Sequence, residues 1–124
     1  MGGELAQAVA RAFAVDGPLA KSEPGFMPRA AQDEMAARIA DAVEGRQALV
    51  AEAGTGVGKT FAYLVPLLLS GRRALVSTAT KSLQDQLFLR DLPRLRDALG
   101  LPVRMALLKG RASYLCRWRL QQAQ

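Results

Sequence analysis

Apolar positions follow two patterns along this chain, and together they predict a mixture of helices and strands. Met35, Ile39 and Val43 are spaced four residues apart, which predicts an amphipathic helix that ends near Gly45. Three shorter apolar runs lack this spacing: QALVAEA predicts a buried strand, RALVSTAT a second strand, and PVRMALLKG is a candidate for a third. Because strands that alternate with helices form parallel βαβ units, we expect an α/β fold in which helices flank a parallel sheet.

Further helices are predicted around these runs, over residues 5–15, 60–69 and 81–90. Pro66 should kink the last turn of the second of these helices, and Pro93 should bend or end the third. Residues 16–28 contain three prolines and two glycines and are predicted to be a connector. The residues from Ser113 onward have helical character.

Composition and charge limit the class of protein. The chain has 124 residues, of which 50% are hydrophobic and 23% charged, as expected of a globular domain. It contains no sequence typical of a signal peptide or a membrane span, so we expect a cytoplasmic location. Residues 70–124 hold eleven basic and three acidic side chains. This excess suggests a polyanionic partner, although a solvated surface would give the same composition.

One segment, AGTGVGKT, matches the spacing of a phosphate-binding loop, with Ala53 where the strict pattern has glycine. Glycines allow backbone N–H groups to approach phosphate oxygens, and the following helix directs its positive end toward the anion. We expect Lys59 to reach the β- and γ-phosphates of ATP and the Thr60 hydroxyl to bind Mg²⁺. The full set of candidate loop residues is Ala53, Gly54, Thr55, Gly56, Val57, Gly58, Lys59 and Thr60. The alternative is an accidental glycine-rich turn.

Four segments resemble, in order, the motifs of superfamily 2 helicases. FMPRAAQDEM resembles the Q motif, EAGTGVGKT motif I, VSTATKSLQDQL motif Ia, and LLKGRASYLC the entry to an iron–sulfur domain. In this order they resemble the DinG/XPD-type iron–sulfur DNA helicases, and most closely the bacterial DinG/YoaA branch. The resemblance implies an ATP-dependent enzyme that moves on single-stranded DNA, unwinds duplexes 5′ to 3′ and serves DNA repair.

The resemblance also implies a domain organisation around a RecA-like P-loop motor. Residues 1–25 would form an N-terminal helix and connector, and residues 26–109 the N-terminal part of the first ATP-binding domain. Residues 110–124 would begin the iron–sulfur domain.

Roles for individual residues follow from the same resemblance. Gln32 would read the adenine edge, and Phe26 would stack on the base with Arg29 nearby. The alternatives are a solvated helix residue for Gln32 and a core aromatic for Phe26. At the motif Ia corner, Thr78, Thr80 and Lys81, beside Ser77, would hold single-stranded DNA. Thr80 is also a candidate N-cap of the next helix.

Cys116 is the only cysteine and stands where the resemblance places the first ligand of a 4Fe–4S cluster. The alternative is a small buried hydrophobic residue. A cluster needs four thiolates, so we expect it to form only in a longer protein. The surrounding side chains suit single-stranded DNA: Lys109, Arg111, Arg117, Trp118 and Arg119.

The chain has no acidic pair after an apolar strand, which ATP hydrolysis would need to hold Mg²⁺ and the attacking water. We therefore expect the N-terminal part of a helicase that binds ATP but does not turn it over alone. The alternative is a non-hydrolysing nucleotide- or nucleic-acid-binding module. A small-molecule kinase is disfavoured by Gln32, by the motif Ia corner and by the lack of a substrate lid. The oligomeric state is not predicted.

Overall fold

The computed structural model describes residues 2–123, and its regular structure is helical. The helices are α1 Glu4–Ala12, α2 Pro18–Ser22, α3 Ala30–Gly45, α4 Lys59–Leu69, α5 Lys81–Gln86, α6 Leu92–Leu99 and α7 Arg117–Gln122. A π-helical turn, Leu87–Asp91, joins α5 to α6, and a 3₁₀ turn covers Arg111–Ser113. The helices predicted over residues 5–15, 60–69 and 81–90, and the helix predicted to end near Gly45, are therefore confirmed.

The predicted parallel sheet is wrong, because no strand forms anywhere in residues 2–123. The three segments predicted as strands are irregular. Most apolar side chains of the first two are exposed, whereas Val103, Met105 and Leu107 of the third are partly buried. Val50 is 99% exposed and Leu75 is 93% exposed. A strand of a parallel sheet is covered on both faces and hydrogen-bonded to its neighbours, and these segments have neither kind of support. Their apolar composition indicated burial, but strand pairing depends on partners that a local pattern cannot specify.

The core forms where α3 packs against both α1 and α4. The buried stripe of α3 consists of Gln32, Ala36 and Ala40, which are spaced four residues apart. The larger Met35, Ile39 and Val43, from which the helix was predicted, are only partly buried. The larger buried side chains of the core come from α1 and the residue after it, from α2, α4 and α6, and from the π turn: Leu5, Val9, Phe13, Leu19, Leu64, Val65, Leu87 and Leu95.

The N-terminus of α1 is fixed by the C-terminal turn of α3. The Leu5 N–H donates to Glu44 Oε1 at 2.7 Å, which satisfies one of the amide groups that a helix start leaves without a partner. Gly3, the N-cap, lies so close to the Glu44 carboxylate that a Cβ at Gly3 would collide with it. The same end of α3 is closed by Arg46, which adopts the left-handed conformation with φ 52° and ψ 45°.

The segment predicted to be a connector contains α2. Pro18 occupies the first turn of this helix, where its fixed φ and missing N–H are tolerated. Leu19 is fully buried, and α2 packs against α6. Near this contact, Arg94 and Glu23 form an ion pair with 3.3 Å between Nη2 and Oε2.

The helical path from α5 to α6 neither ends nor simply bends at Pro93. The path widens into the π turn Leu87–Asp91, which directly precedes α6. Pro93 lies in the first turn of α6. A π turn accommodates the carbonyl that a proline four residues later leaves without an N–H donor. The widening also directs Leu87 and Asp91 into the interior.

Candidate nucleotide-binding site

The glycine loop leads directly into the first turn of α4. Gly56 and Gly58 have positive φ angles of 79° and 85°, a region that other residues rarely adopt. Lys59 and Thr60 are the first two residues of α4. The unpaired N–H groups and the positive dipole end of this eleven-residue helix therefore face the loop, as an anion site requires.

Lys59 closes the loop across its base. Its Nζ donates to the Ala53 carbonyl at 2.9 Å, while the side chain remains exposed to solvent. An ammonium group has three hydrogens, so this bond leaves two for phosphate oxygens. Lys59 is thus held beside the loop in a position compatible with its predicted role.

Two residues predicted to act on adenine bind the backbone of the loop. Gln32 is only 5% exposed, and its Nε2 donates to the Gly58 carbonyl at 3.0 Å. The Arg29 guanidinium donates to the Gly56 carbonyl. Gly58 has no room for a Cβ, because the Gln32 side-chain amide occupies that space. The sequence did not predict these loop contacts, and the predicted adenine roles of the two residues stay predictions.

The bond to Gly58 uses only one hydrogen of the Gln32 amide, and the amide has a second hydrogen and a carbonyl oxygen. The predicted adenine contact is compatible with the structure on this count and stays a prediction. Phe26 is half-buried and packs against Phe13, the residue after α1, with ring centroids 6.3 Å apart and an interplanar angle of 35°. Its predicted stacking on a base is also untested.

At the motif Ia corner the predicted N-cap is confirmed. Thr80 Oγ1 accepts a hydrogen bond from the Leu83 N–H at 3.2 Å. The Thr78 hydroxyl lies 3.5 Å from the Thr80 carbonyl, and Ser77 and Lys81 are exposed. The corner therefore presents hydroxyl and ammonium groups to solvent, and its contact with DNA stays a prediction.

Cys116 is a free, exposed thiol at the N-cap of α7. Among residues 2–123, no three His, Cys, Asp or Glu side chains are grouped so that they could hold a metal ion. Since an iron–sulfur cluster takes four thiolates and the chain has one, these residues do not fit a cluster. Trp118 follows on α7 and is 67% exposed.

None of the helices in the described range is long and apolar enough to cross a membrane.

Comparison with known proteins places these features in one family. The sequence pattern of the DEAD/DEAH box helicases matches residues 29–121, which include the loop, Gln32 and the motif Ia corner. No solved structure matches the chain.

Several curated proteins are similar over most of the chain. It is 52% identical to the ATP-dependent DNA helicase YoaA of Haemophilus influenzae over 114 residues, 92% of this chain and 18% of that protein. It is 54% identical to YoaA of Escherichia coli, over 89% of this chain and 17% of that protein. A more distant relative, 36% identical over 84% of this chain and 12% of its own length, is the 3′-5′ exonuclease DinG of Bacillus subtilis.

The chain thus spans less than a fifth of the length of these relatives. The family match, by contrast, covers most of the chain and coincides with the loop and its bonded partners. The chain therefore belongs to the DEAD/DEAH box helicase family.

Proposed function

We propose that this chain is the nucleotide-binding part of a cytoplasmic ATP-dependent DNA helicase. The helicase would translocate on single-stranded DNA 5′ to 3′ and serve DNA repair. Residues 26–109 would form the N-terminal part of the first ATP-binding domain. Residues 110–124 would begin the next domain. The observation that carries the proposal is the loop before α4, with Lys59 across its base and Gln32 bonded to Gly58.

In this proposal, the loop N–H groups and Lys59 bind the β- and γ-phosphates, and Thr60 supplies a hydroxyl ligand to Mg²⁺. The metal would neutralise charge on the phosphates. Gln32, whose amide is already held beside the loop, would present its remaining hydrogen and its oxygen to the adenine edge. Since Cys116 has no companion thiol in this chain, no step is assigned to an iron–sulfur cluster.

A single DNA strand would contact the motif Ia corner through Thr78, Thr80 and Lys81. This contact is supported by the exposure of Thr80 and Lys81 and by the excess of basic residues in the second half of the chain. The exposed Trp118 and the arginines on either side of it offer a stacking surface of the kind that binds single strands.

A comparison of two lysine substitutions, one in the loop and one at the motif Ia corner, tests the proposal. Lys59→Ala should weaken binding of fluorescent N-methylanthraniloyl-ATP by at least about tenfold, since hydrogen bonds to charged groups contribute about 1.5–3 kcal/mol. Lys81→Ala should leave nucleotide binding unchanged and weaken binding of a labelled oligothymidine. The oligothymidine affinity should also fall steeply with added salt. Equal nucleotide affinity for wild type and Lys59→Ala would contradict the proposal.

Hydrolysis and degradation assays separate the alternatives. We expect the 124-residue chain to bind ATP with no appreciable turnover, even when single-stranded DNA is added. A non-hydrolysing binding module would behave in the same way, so a longer protein that includes this chain must show DNA-stimulated ATPase activity and duplex unwinding. Exonucleolytic shortening of the oligonucleotide without unwinding would instead favour the activity named for the Bacillus subtilis relative.

A further inference from the structure

One face of α5 carries both a residue of the motif Ia corner and the contacts to a later part of the chain. Lys81, Gln84 and Asp85 are spaced three and four residues apart, so their side chains lie next to one another on the helix. Gln84 Nε2 donates to the Leu108 carbonyl at 3.1 Å. The segment around Leu108 therefore runs along the face of α5 that begins with Lys81.

The peptide group between Leu108 and Lys109 is held from two sides. Its carbonyl accepts the bond from Gln84, and its N–H, which belongs to Lys109, donates to the Tyr114 hydroxyl at 2.9 Å. A trans peptide group is planar, and its C=O and N–H point in opposite directions, so two such bonds fix its orientation. Residues 101–110 are irregular, and here two side chains satisfy backbone groups that a helix or sheet would otherwise pair.

The side chain of Lys109 is directed back toward α5. Its Nζ lies 3.8 Å from Asp85 Oδ1, and the two side chains are 38% and 50% exposed. A pair this exposed contributes little to stability. The ammonium group has three hydrogens, so phosphate oxygens can bind it beside the carboxylate or in its place.

Lys109 thus brings a second positive charge to the face of α5 that carries Lys81. Arg111 follows two residues later in the 3₁₀ turn and is exposed. These three basic side chains outnumber the single carboxylate among them, that of Asp85. A DNA strand bound at Lys81 and directed along α5 would therefore meet Lys109 next.

We propose that Gln84 and Tyr114 are positioning residues that present Lys109 to the phosphates of a DNA strand held at Lys81. The DNA interface would then continue from the motif Ia corner along α5 to the segment before α7. This inference rests on the proposed DNA contact at the corner.

The test measures the binding of labelled oligothymidine to five variants of the chain over a range of salt concentrations. Lys109→Gln removes the charge, whereas Gln84→Leu and Tyr114→Phe each remove one bond to the peptide group and leave the net charge unchanged. Lys21→Gln on α2 and Gln7→Leu on α1 are the matched controls, since both side chains are exposed on other helices. Thermal unfolding shows whether each variant is folded, and partial unfolding would lower the affinity without changing its salt dependence.

Loss of one phosphate contact lowers the slope of log affinity against log salt concentration by about 0.7 for a single strand. We expect this change in Lys109→Gln, with an affinity about three- to tenfold lower in low salt. Gln84→Leu and Tyr114→Phe should lower the affinity about two- to fivefold and reduce the slope as well, although neither removes a charge. Neither should weaken binding further when combined with Lys109→Gln. Both controls should bind more nearly as wild type does.

A wild-type slope in Lys109→Gln would overturn the inference. So would an equal loss in Lys21→Gln, since this would indicate a general effect of net charge. Losses in Gln84→Leu and Tyr114→Phe that persist in the Lys109→Gln background would refute their positioning role. The proposed function fails separately: if wild type does not bind oligothymidine, or Lys81→Ala binds it equally well, the DNA contact at the corner is refuted, and the inference with it.

Discussion

The Gln32 side-chain amide donates a hydrogen bond to the Gly58 carbonyl over 3.0 Å, which ties α3 to the residue that precedes α4. The donor is 5% exposed, and the acceptor adopts a positive φ of 85°. A buried amide of α3 is therefore bonded to the phosphate loop whether or not it also contacts a base.

Gln32→Glu should loosen the loop, because a carboxylate at this position cannot donate to the Gly58 carbonyl. The Gly58 carbonyl keeps its bond from the Ala62 N–H at 3.1 Å, but a buried carboxylate would face it in place of the amide donor. Burial of a polar group without its hydrogen bond costs about 1–3 kcal/mol, so nucleotide affinity should fall about tenfold. Gln84→Glu is the matched control, since Gln84 Nε2 donates to the Leu108 carbonyl at 3.1 Å, outside the loop. If Gln32 also reads adenine, the preference of the variant for ATP over GTP should shrink. Wild-type affinity in Gln32→Glu would show that the bond is unimportant for the loop.

Gly58→Ala should be more damaging than an alanine at another glycine with positive φ. Left-handed backbone costs a non-glycine residue about 1–2 kcal/mol, and the new Cβ would also displace the Gln32 amide. Gly71→Ala carries only the backbone cost, because φ is +66° there and no atom lies within 4 Å of the added Cβ. Urea unfolding and nucleotide titration measure the two effects. Similar nucleotide affinities for both variants would contradict the steric part of this prediction.

Glu44→Ala should lower the free energy of unfolding by about 1 kcal/mol, the usual contribution of a helix N-cap, since Leu5 N–H loses its partner. Glu34→Ala is the control. Glu34 pairs with Arg38 at 3.0 Å, but both side chains are 68% exposed, and such pairs contribute less than about 1 kcal/mol. Denaturant unfolding of both variants checks the prediction, and a larger loss for Glu34→Ala would reverse our assignment of the two carboxylates.

Arg46→Gly should stabilise the protein. Arg46 closes α3 with φ 52°, the position where glycine is usual, and its N–H bonds the Val43 carbonyl at 3.4 Å. Glycine removes the free-energy cost of the left-handed backbone but also gives the unfolded chain more conformational freedom. The first effect should be larger, so the free energy of unfolding should rise by about 0.5 kcal/mol. Arg38→Gly, the same change inside α3, should lower stability by about 1 kcal/mol. Opposite shifts of the thermal midpoint are expected, and a lower midpoint for Arg46→Gly would refute the prediction.

The elements predicted correctly are those whose signals are local. The four-residue spacing before Gly45 and the loop ahead of Lys59 each gave the right helix, because helix formation and loop conformation depend on neighbouring residues. The short helix α2 was missed within a stretch dominated by breakers. Pro18 preceded by Gly17 was the available signal, since proline is favoured in a first helical turn.

What the sequence did not predict depends on distant contacts. Apolar composition suggested strands, but pairing requires neighbours that no local pattern specifies, and no strand forms in the described range. The bond from Gln32 to Gly58 joins residues 26 positions apart, so motif spacing identified both residues without revealing that they touch. The burial of Asp91 likewise depends on the widened turn before α6.

The irregular segments have a consequence for handling the chain in solution. Val50, Leu75 and Leu108 are 99%, 93% and 82% exposed, and they lie in stretches rich in β-branched and aliphatic residues. Such stretches are templates for intermolecular pairing and tend to drive association as protein concentration rises. The excess of arginine and lysine opposes this by mutual repulsion, so added salt should favour precipitation and dilute, low-salt buffers should favour the monodisperse chain.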